Sequence, residues 1–370
     1  MITENTIGPL ISWTEAALRK NLLLGHNLKK DHVLISGGQC INPEYIRLLN
    51  RTADVVIDPE FYELLLDYDG QRYLRKLGVY GQFRRITDGF VYFPESPDFL
   101  QFDDRDEKRG QYLLEKLGLR SDSKFVTVHS RDEFFSNGAP TEQMYRNSSL
   151  ENLYPSIDFL KENHLFVIRM GHYRDEDADQ LSYISLNSVQ SKEDRQFLDF
   201  YLQKKAFFSV CGASGIAFIP WQFKTPLFVH NYIPLGINVT MDKGVFIPKL
   251  IRRKKDKKWV KLSELLLYEK LFVVLDSHFY MYKNAFGDWF NSDSDYELHD
   301  LESVENTESE ILEGMRETFL YSQGLLTLSD EQKELQEQFK QMFPVHHHIR
   351  LAKGIISPSF LEKYKDILTK

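Results

Sequence analysis

The chain has 370 residues, 42% of them hydrophobic and 14% aromatic, with a formal net charge of −8. Domains usually run about 100–200 residues, so this length points to two, and the apolar content excludes general disorder. The acidic balance excludes a dedicated nucleic-acid binder, which needs a basic surface to displace counterions, and two cysteines exclude a disulfide scaffold and fit a reducing cytoplasm.

The opening stretch MITENTIGPLISWTEAALRK lacks the charged-then-apolar layout of a secretory signal. No apolar run approaches the roughly 18–20 residues that span a bilayer. A cytoplasmic protein is expected, with any membrane contact peripheral. The run His32–Ile35 stopped by Ser36-Gly37-Gly38 reads as a strand, and Glu44–Asn50 after Asn42-Pro43 as a helix. Asp54–Asp58 and the spaced apolar set Phe61, Leu64, Leu65 and Tyr68 give a second strand and helix. Such alternation predicts a parallel sheet with helices on its faces.

The prolines of Tyr92–Asp98 break regular structure. A helix then ends near Leu117–Leu119, and the alternation resumes. Strands are expected over 124–130, 165–170, 206–211 and 226–231, and helices over 150–163, 197–203, 216–223 and 329–342. Ser329 followed by Gln332 gives the last of these a capping signature. The boundary falls within about 94–122, by the usual size of a domain. The expected division is 1–112, an N-terminal acceptor-side Rossmann-like domain; 113–335, a donor-binding Rossmann-like domain; and 336–370, a helical tail crossing back to the first. There is no internal repeat of fixed period.

Four segments fall where a doubly wound sheet places its ligands, at the carboxyl ends of strands. In Val126–Glu133 a strand runs into His129, Arg131 and Asp132. A strand-end arginine suits a diphosphate because its planar fork donates two charge-assisted hydrogen bonds, and a local Arg131–Asp132 ion pair reads the same residues equally well. In Tyr145-Arg146-Asn147, Arg146 suits phosphate and Asn147 a sugar or base edge, against simple helix capping by Asn147 or Ser148. Phe166–Gly171 ends in Arg169 and Gly171, where glycine allows close backbone approach or a tight turn. Phe207–Ile216 is a strand, then the small-residue loop Gly212-Ala213-Ser214-Gly215, then a helix start, an arrangement that presents backbone N–H groups to an anion. The strand Pro226–Asn231 adds polar groups at its own end.

In this order HSRDE, YRNSS, VIRMG, CGASGIAFIPWQFKTPLFVHN, VFIPKL and VENTESEI resemble a family of bacterial glycosyltransferases encoded among surface-polysaccharide genes. The likeness runs from Ile7-Gly8 to Ser357–Leu361. His129-Ser130-Arg131 is also similar to the His-x-Arg element of fucosyltransferases, where the arginine contacts the donor diphosphate. The resemblance implies a GT-B fold: two Rossmann-like domains facing a cleft, the nucleotide-sugar donor held chiefly by the second. From their places in these segments the candidate donor contacts are Arg131, Tyr145, Arg146, Asn147, Arg169, Gly171, Gly212, Ala213, Ser214, Gly215 and Asn231, and in an inverting reaction, where the acceptor hydroxyl loses its proton, Asp132 and His129 are the nearest candidates for the catalytic base. Family members have a strand before Ile7-Gly8, where only six residues stand here.

No metal or other cofactor is expected. His346-His347-His348 lacks zinc-site spacing, and Asp103-Asp104 and Asp293-Ser294-Asp295 read as solvated loops. Lys249–Lys261 carries eight basic residues against one acid, Asp256. It reads as a solvated hairpin or as a docking patch for anionic lipid with Trp259 as anchor. The expected partners are a nucleotide-sugar donor and a glycan or lipid-linked acceptor. A sugar-nucleotide epimerase and a noncatalytic nucleotide-sugar sensor are the alternatives.

Overall fold

The computed structural model describes residues 7–23, 25–30, 33–38, 40–66, 98–132, 143–171, 183–233, 235, 243–266, 292–343 and 348–369. The proline-rich break at 92–97, Glu133, and His346 and His347 lie outside them.

The first part runs α1 (Ile7–Leu23), β1 (Val33–Ser36), α2 (Pro43–Leu49), β2 (Asp54–Ile57), α3 (Pro59–Leu66) and α4 (Asp104–Lys116). Asn42 starts α2 by accepting from Glu44 N at 3.1 Å, and Pro43 sits in the first turn, where a missing N–H costs nothing. β1 and β2 pair in parallel, Val33 opposite Asp54, with α2 as their crossover. The remainder continues with β3 (Phe125–His129), α5 (Tyr154–Glu162), β4 (Phe166–Arg169), β5 (Ile184–Ser185), α6 (Lys192–Lys205), β6 (Phe208–Cys211), α7 (Phe218–Gln222), β7 (Leu227–Tyr232) and β8 (Gly244–Pro248). After these come β9 (Leu250–Arg253), α8 (Leu262–Leu265), α9 (Asp293–Leu298), β10 (Leu301–Val304), α10 (Glu308–Ser322), α11 (Asp330–Gln341), α12 (His348–Leu351), β11 (Ile355–Ile356), α13 (Pro358–Lys363) and α14 (Lys365–Leu368).

Seven strands form one sheet in the order β11-β8-β7-β6-β3-β4-β5, every neighbouring pair parallel. From β3 the chain steps outward through β4 and β5, then returns to the other side of β3 with β6 and steps away through β7 and β8. The strand order therefore reverses between β3 and β6. Strands β3, β6, β7 and β8 are buried along their whole length, as a sheet covered on both faces requires.

The sequence reading locates most of these strands to within two residues, while α1, the pair β9–β10 and α10 go beyond it. α6 begins five residues earlier than expected because Ser191 accepts from Asp194 N and opens the helix. α5 begins only at Tyr154, because Pro155 has no N–H to give and fits the first turn alone. In the tail, Ile355 and Ile356 pair with Val245 and Phe246 of β8 and extend the large sheet, and α13 packs on α10 and α11. Burying Ile356, Phe360 and Leu361 there gives the tail an apolar seat on its own half of the chain.

In the first part the described strands make a two-stranded unit rather than a full sheet. Its helices lie on the second part. α1 packs on α7 and on the turn at Gly215, and α2 on α6. Asn42 Nδ2 donates to Asp199 Oδ2 and to Gln196 O, each at 3.1 Å. Within α1, Glu15 and Arg19 form a fully buried ion pair at 3.0 Å, with Gln222 Nε2 donating to Glu15 at 2.8 Å and Trp221 under the guanidinium.

Candidate functional site

The register puts four strand ends side by side. Val128 lies opposite Arg169, His129 opposite Cys211, and Cys211 opposite Val229. The residues just beyond, Ser130-Arg131, Met170-Gly171, Gly212–Gly215 and His230-Asn231, therefore gather at one edge. The point of reversal between β3 and β6 is where open α/β sheets bind ligands, because the flanking loops diverge there and leave a crevice.

Arg131 and Arg146 meet at this point. Arg131 is 3% exposed. Its backbone carbonyl accepts from Ser148 N at 2.8 Å, which ties the strand end to the segment that carries Arg146. Both guanidiniums donate to Gln143 Oε1, Arg131 at 3.4 Å and Arg146 at 3.0 Å. Arg146 Nε also donates to Ala213 O at 2.9 Å, so the small-residue loop and the second arginine touch. Burial and then the positive charge of Arg146 pull Arg131 down to about 10. Burial lowers Arg146 as well. Two cations held against their own repulsion at a strand switch suit a dianion.

Arg169 has a different neighbourhood. Its Nη2 donates to Asp132 Oδ2 at 3.3 Å and its Nη1 to Tyr183 OH at 3.0 Å. The arginine that pairs with Asp132 is thus Arg169 rather than Arg131. Gly171 takes φ +96°, and an added Cβ would stand 2.9 Å from His129 Cδ2, so glycine here lets the chain pass over the imidazole. Burial first, then His230, Arg169 and Arg131, lower the His129 ring to about 3, and burial lowers His230 to about 4. Both shifts keep the two imidazoles neutral near pH 7.

Three further residues have neighbours that lie far along the chain or beside them. Tyr145 packs its ring 5.1 Å from Tyr296 in an apolar cluster with Ala213, Ile251 and Leu301 and anchors the turn. Asn231, at φ +51° and fully buried, exchanges hydrogen bonds with Asn306: its N–H donates to Asn306 Oδ1 at 2.6 Å, and its Oδ1 accepts from Asn306 N at 2.7 Å. Its amide nitrogen faces His230 Nδ1 at 3.0 Å, so Asn231 joins β7 to the segment before α10. Neither Asn147 nor Ser148 caps the helical segment that follows, which starts from Leu150 and Leu153. Ser148 Oγ lies 2.9 Å from Ser130 Oγ, and the buried Asn147 Oδ1 has no hydrogen-bond partner among the described residues.

The loop Gly212–Gly215 packs from behind as closely as backbone allows. An added Cβ on Gly215 would lie 2.7 Å from Gly8 N and 2.8 Å from Gly8 Cα, so the start of α1 rests on the loop. At Gly212 an added Cβ would meet Ser148 Oγ, Arg131 N and His230 Cε1 at 3.4–3.5 Å, a position hemmed in by the ends of β3 and β7 and by the segment that follows Arg146.

Five of the eight basic residues of the run find acidic partners on folding. Arg252 and Lys257 pair with Glu302, Arg253 with Glu264, Lys254 with Glu297 and Lys258 with Asp256. Lys249 is buried. Trp259 bridges to Arg252 in the hairpin and stands 6.2 Å from the Tyr364 ring, half-buried rather than projecting. Asp103 and Asp295, expected in solvated loops, belong to capping boxes of α4 and α9. No helix among the described residues is long and apolar enough to cross a membrane.

The sequence matches no family model, and no curated protein matches it. Solved structures are similar at low identity. The ADP-heptose LPS heptosyltransferase II of E. coli is 11% identical over 66% of this chain and 88% of its own, with a TM-score of 0.43. A glycosyl transferase family 9 protein of Veillonella parvula is 9% identical over 67% and 84%, also at 0.43. An E. coli heptosyltransferase with ADP-2-deoxy-2-fluoro heptose is 11% identical over 68% and 92%, at 0.33.

Proposed function

We propose that this chain is a glycosyltransferase of the GT-B type that moves a sugar from a nucleotide-activated donor to an acceptor in bacterial surface-glycan assembly, without a metal. The observation that carries the reading is the meeting of Arg131 and Arg146 beside Ala213, at the point where strand order reverses. A nucleotide sugar carries a diphosphate at the bond to be broken. Two guanidiniums would take up the charge that the leaving diphosphate gains in the transition state, while in the loop beside them Gly212 N and Ser214 N already donate to His129 O and Gly212 O. The bond from the anomeric carbon to the phosphate oxygen breaks, the acceptor oxygen bonds to that carbon, and the nucleoside diphosphate leaves.

In an inverting reaction the acceptor hydroxyl gives up its proton as it attacks. Asp132 is the group assigned to receive it, held in place by Arg169, while neutral His129 packs under Gly171 and shapes the floor. Incubation with a panel of nucleotide sugars, with and without glycan acceptors, tests the proposal. Nucleoside diphosphate released only in the presence of an acceptor is the expected result. Isomerised donor would mark an epimerase, binding without turnover would mark a sensor, and either would overturn transfer.

A further inference from the structure

We propose that Lys249 and Asp293 are positioning residues that hold Arg146 in place for the donor diphosphate. The inference rests on the donor-site reading above. Arg146 sits on a single three-residue turn, Met144–Arg146, whose own backbone bonds are Arg146 N to Gln143 O at 3.2 Å and Asn147 N to Met144 O at 2.8 Å. So short a turn does not fix its own geometry, because nucleating a helical turn is unfavourable without outside support.

The support arrives from both sides. Lys249, at the end of β8 and 6% exposed, donates from Nζ to Tyr145 O at 2.9 Å and to Asn147 O at 2.6 Å, the carbonyls on either side of Arg146. Asp293, at the start of α9, accepts from Met144 N at 2.6 Å and Tyr145 N at 2.7 Å. Four backbone groups around one arginine are thus gripped by an ammonium and a carboxylate lying more than a hundred positions along the chain. Keeping the ammonium there has a cost, since burial pulls Lys249 down to about 8 even with Asp293 and Glu305 opposing the fall. A merely structural tie between these segments needs no buried charge, and Ser303 Oγ already reaches Tyr145 O at 3.4 Å. What the charged pair adds is a fixed exit direction for the Arg146 side chain toward Ala213 O and Gln143.

A double-mutant cycle on ligand binding tests this, with inorganic pyrophosphate, ADP, GDP and UDP as probes, measured by calorimetry on the full chain. In the wild-type background, Lys249→Met should weaken diphosphate binding about tenfold or more, approaching Arg146→Ala, as expected when a charge-assisted hydrogen bond is lost. In an Arg146→Ala background the same change should have almost no further effect, because its route to the ligand is gone. Asp293→Asn should repeat the pattern, and Lys249→Gln, which keeps an N–H donor, should fall between Met and wild type; these two also serve where Lys249→Met fails to fold. Binding lost in Arg146→Ala but intact in Lys249→Met and Asp293→Asn overturns the positioning role and spares the donor site. Losses that simply add place Lys249 on the ligand itself and likewise overturn positioning. Wild-type protein that binds none of the four probes overturns the donor-site reading, and this inference with it.

Discussion

Replacing Arg146 with methionine separates a ligand-binding arginine from a structural one by the sign and size of two numbers. In the ligand-free protein Arg131 falls from the usual 12.5 to about 10. Burial is the larger cause of that fall and the positive charge of Arg146 the next. Arg146→Met removes the repulsion and the burial cost of a second cation, and gives up the bonds to Ala213 O and Gln143 Oε1, at about 0.5–1.5 kcal/mol each. The opposing contributions nearly cancel, so stability by urea denaturation should stay within about 1 kcal/mol of wild type. Binding of a nucleoside diphosphate should weaken roughly 10–150-fold, the equivalent of about 1.5–3 kcal/mol. A structural buried arginine behaves in the opposite way, since breaking its pairing costs about 3–5 kcal/mol of stability. A variant that loses that much stability, or that binds nucleoside diphosphate as well as wild type does, would refute the reasoning.

Asp132→Asn should leave donor binding within about twofold and reduce turnover by about 100-fold or more, the usual scale of lost base catalysis; equal turnover removes Asp132 from the chemistry. Gly215→Ala should weaken both folding, by about 1–3 kcal/mol through overpacking against Gly8, and donor affinity, and a melt and binding curve like those of wild type would show that the contact with α1 is unimportant. Arg19→Met should cost about 3–5 kcal/mol of stability, because it strands the fully buried Glu15, and a loss below 1 kcal/mol in chemical denaturation would contradict the buried-pair account. Neutralising Arg252, Arg253, Lys254, Lys255, Lys257 and Lys258 together should change co-sedimentation with anionic vesicles little at physiological salt, because four of those side chains are spent on Glu302, Glu264 and Glu297 and a fifth on Asp256; strong vesicle binding by wild type that this variant loses would show the pairs opening at a lipid surface.

Local pattern determined much of the architecture. Short apolar runs ending in Arg131, Arg169 or Gly212 mark strands and their ligand-facing ends, because a buried parallel strand needs a continuous apolar stretch and its end is where polar groups regain freedom. Asn42-Pro43 and Ser329 mark helix starts through the same backbone chemistry in any fold. Tertiary structure alone decided the strand order, and with it the switch between β3 and β6 that brings the loop at Ala213 to Arg131 and Arg146. It also decided which polar residues were available. Asn231 is used by Asn306, 75 positions on; Tyr145 is fixed through Asp293, 148 positions on; and Arg252 is neutralised by Glu302, 50 positions on. A buried polar group takes whatever partner the packed chain brings within about 3 Å, and no spacing within a segment encodes a partner that only long-range packing delivers.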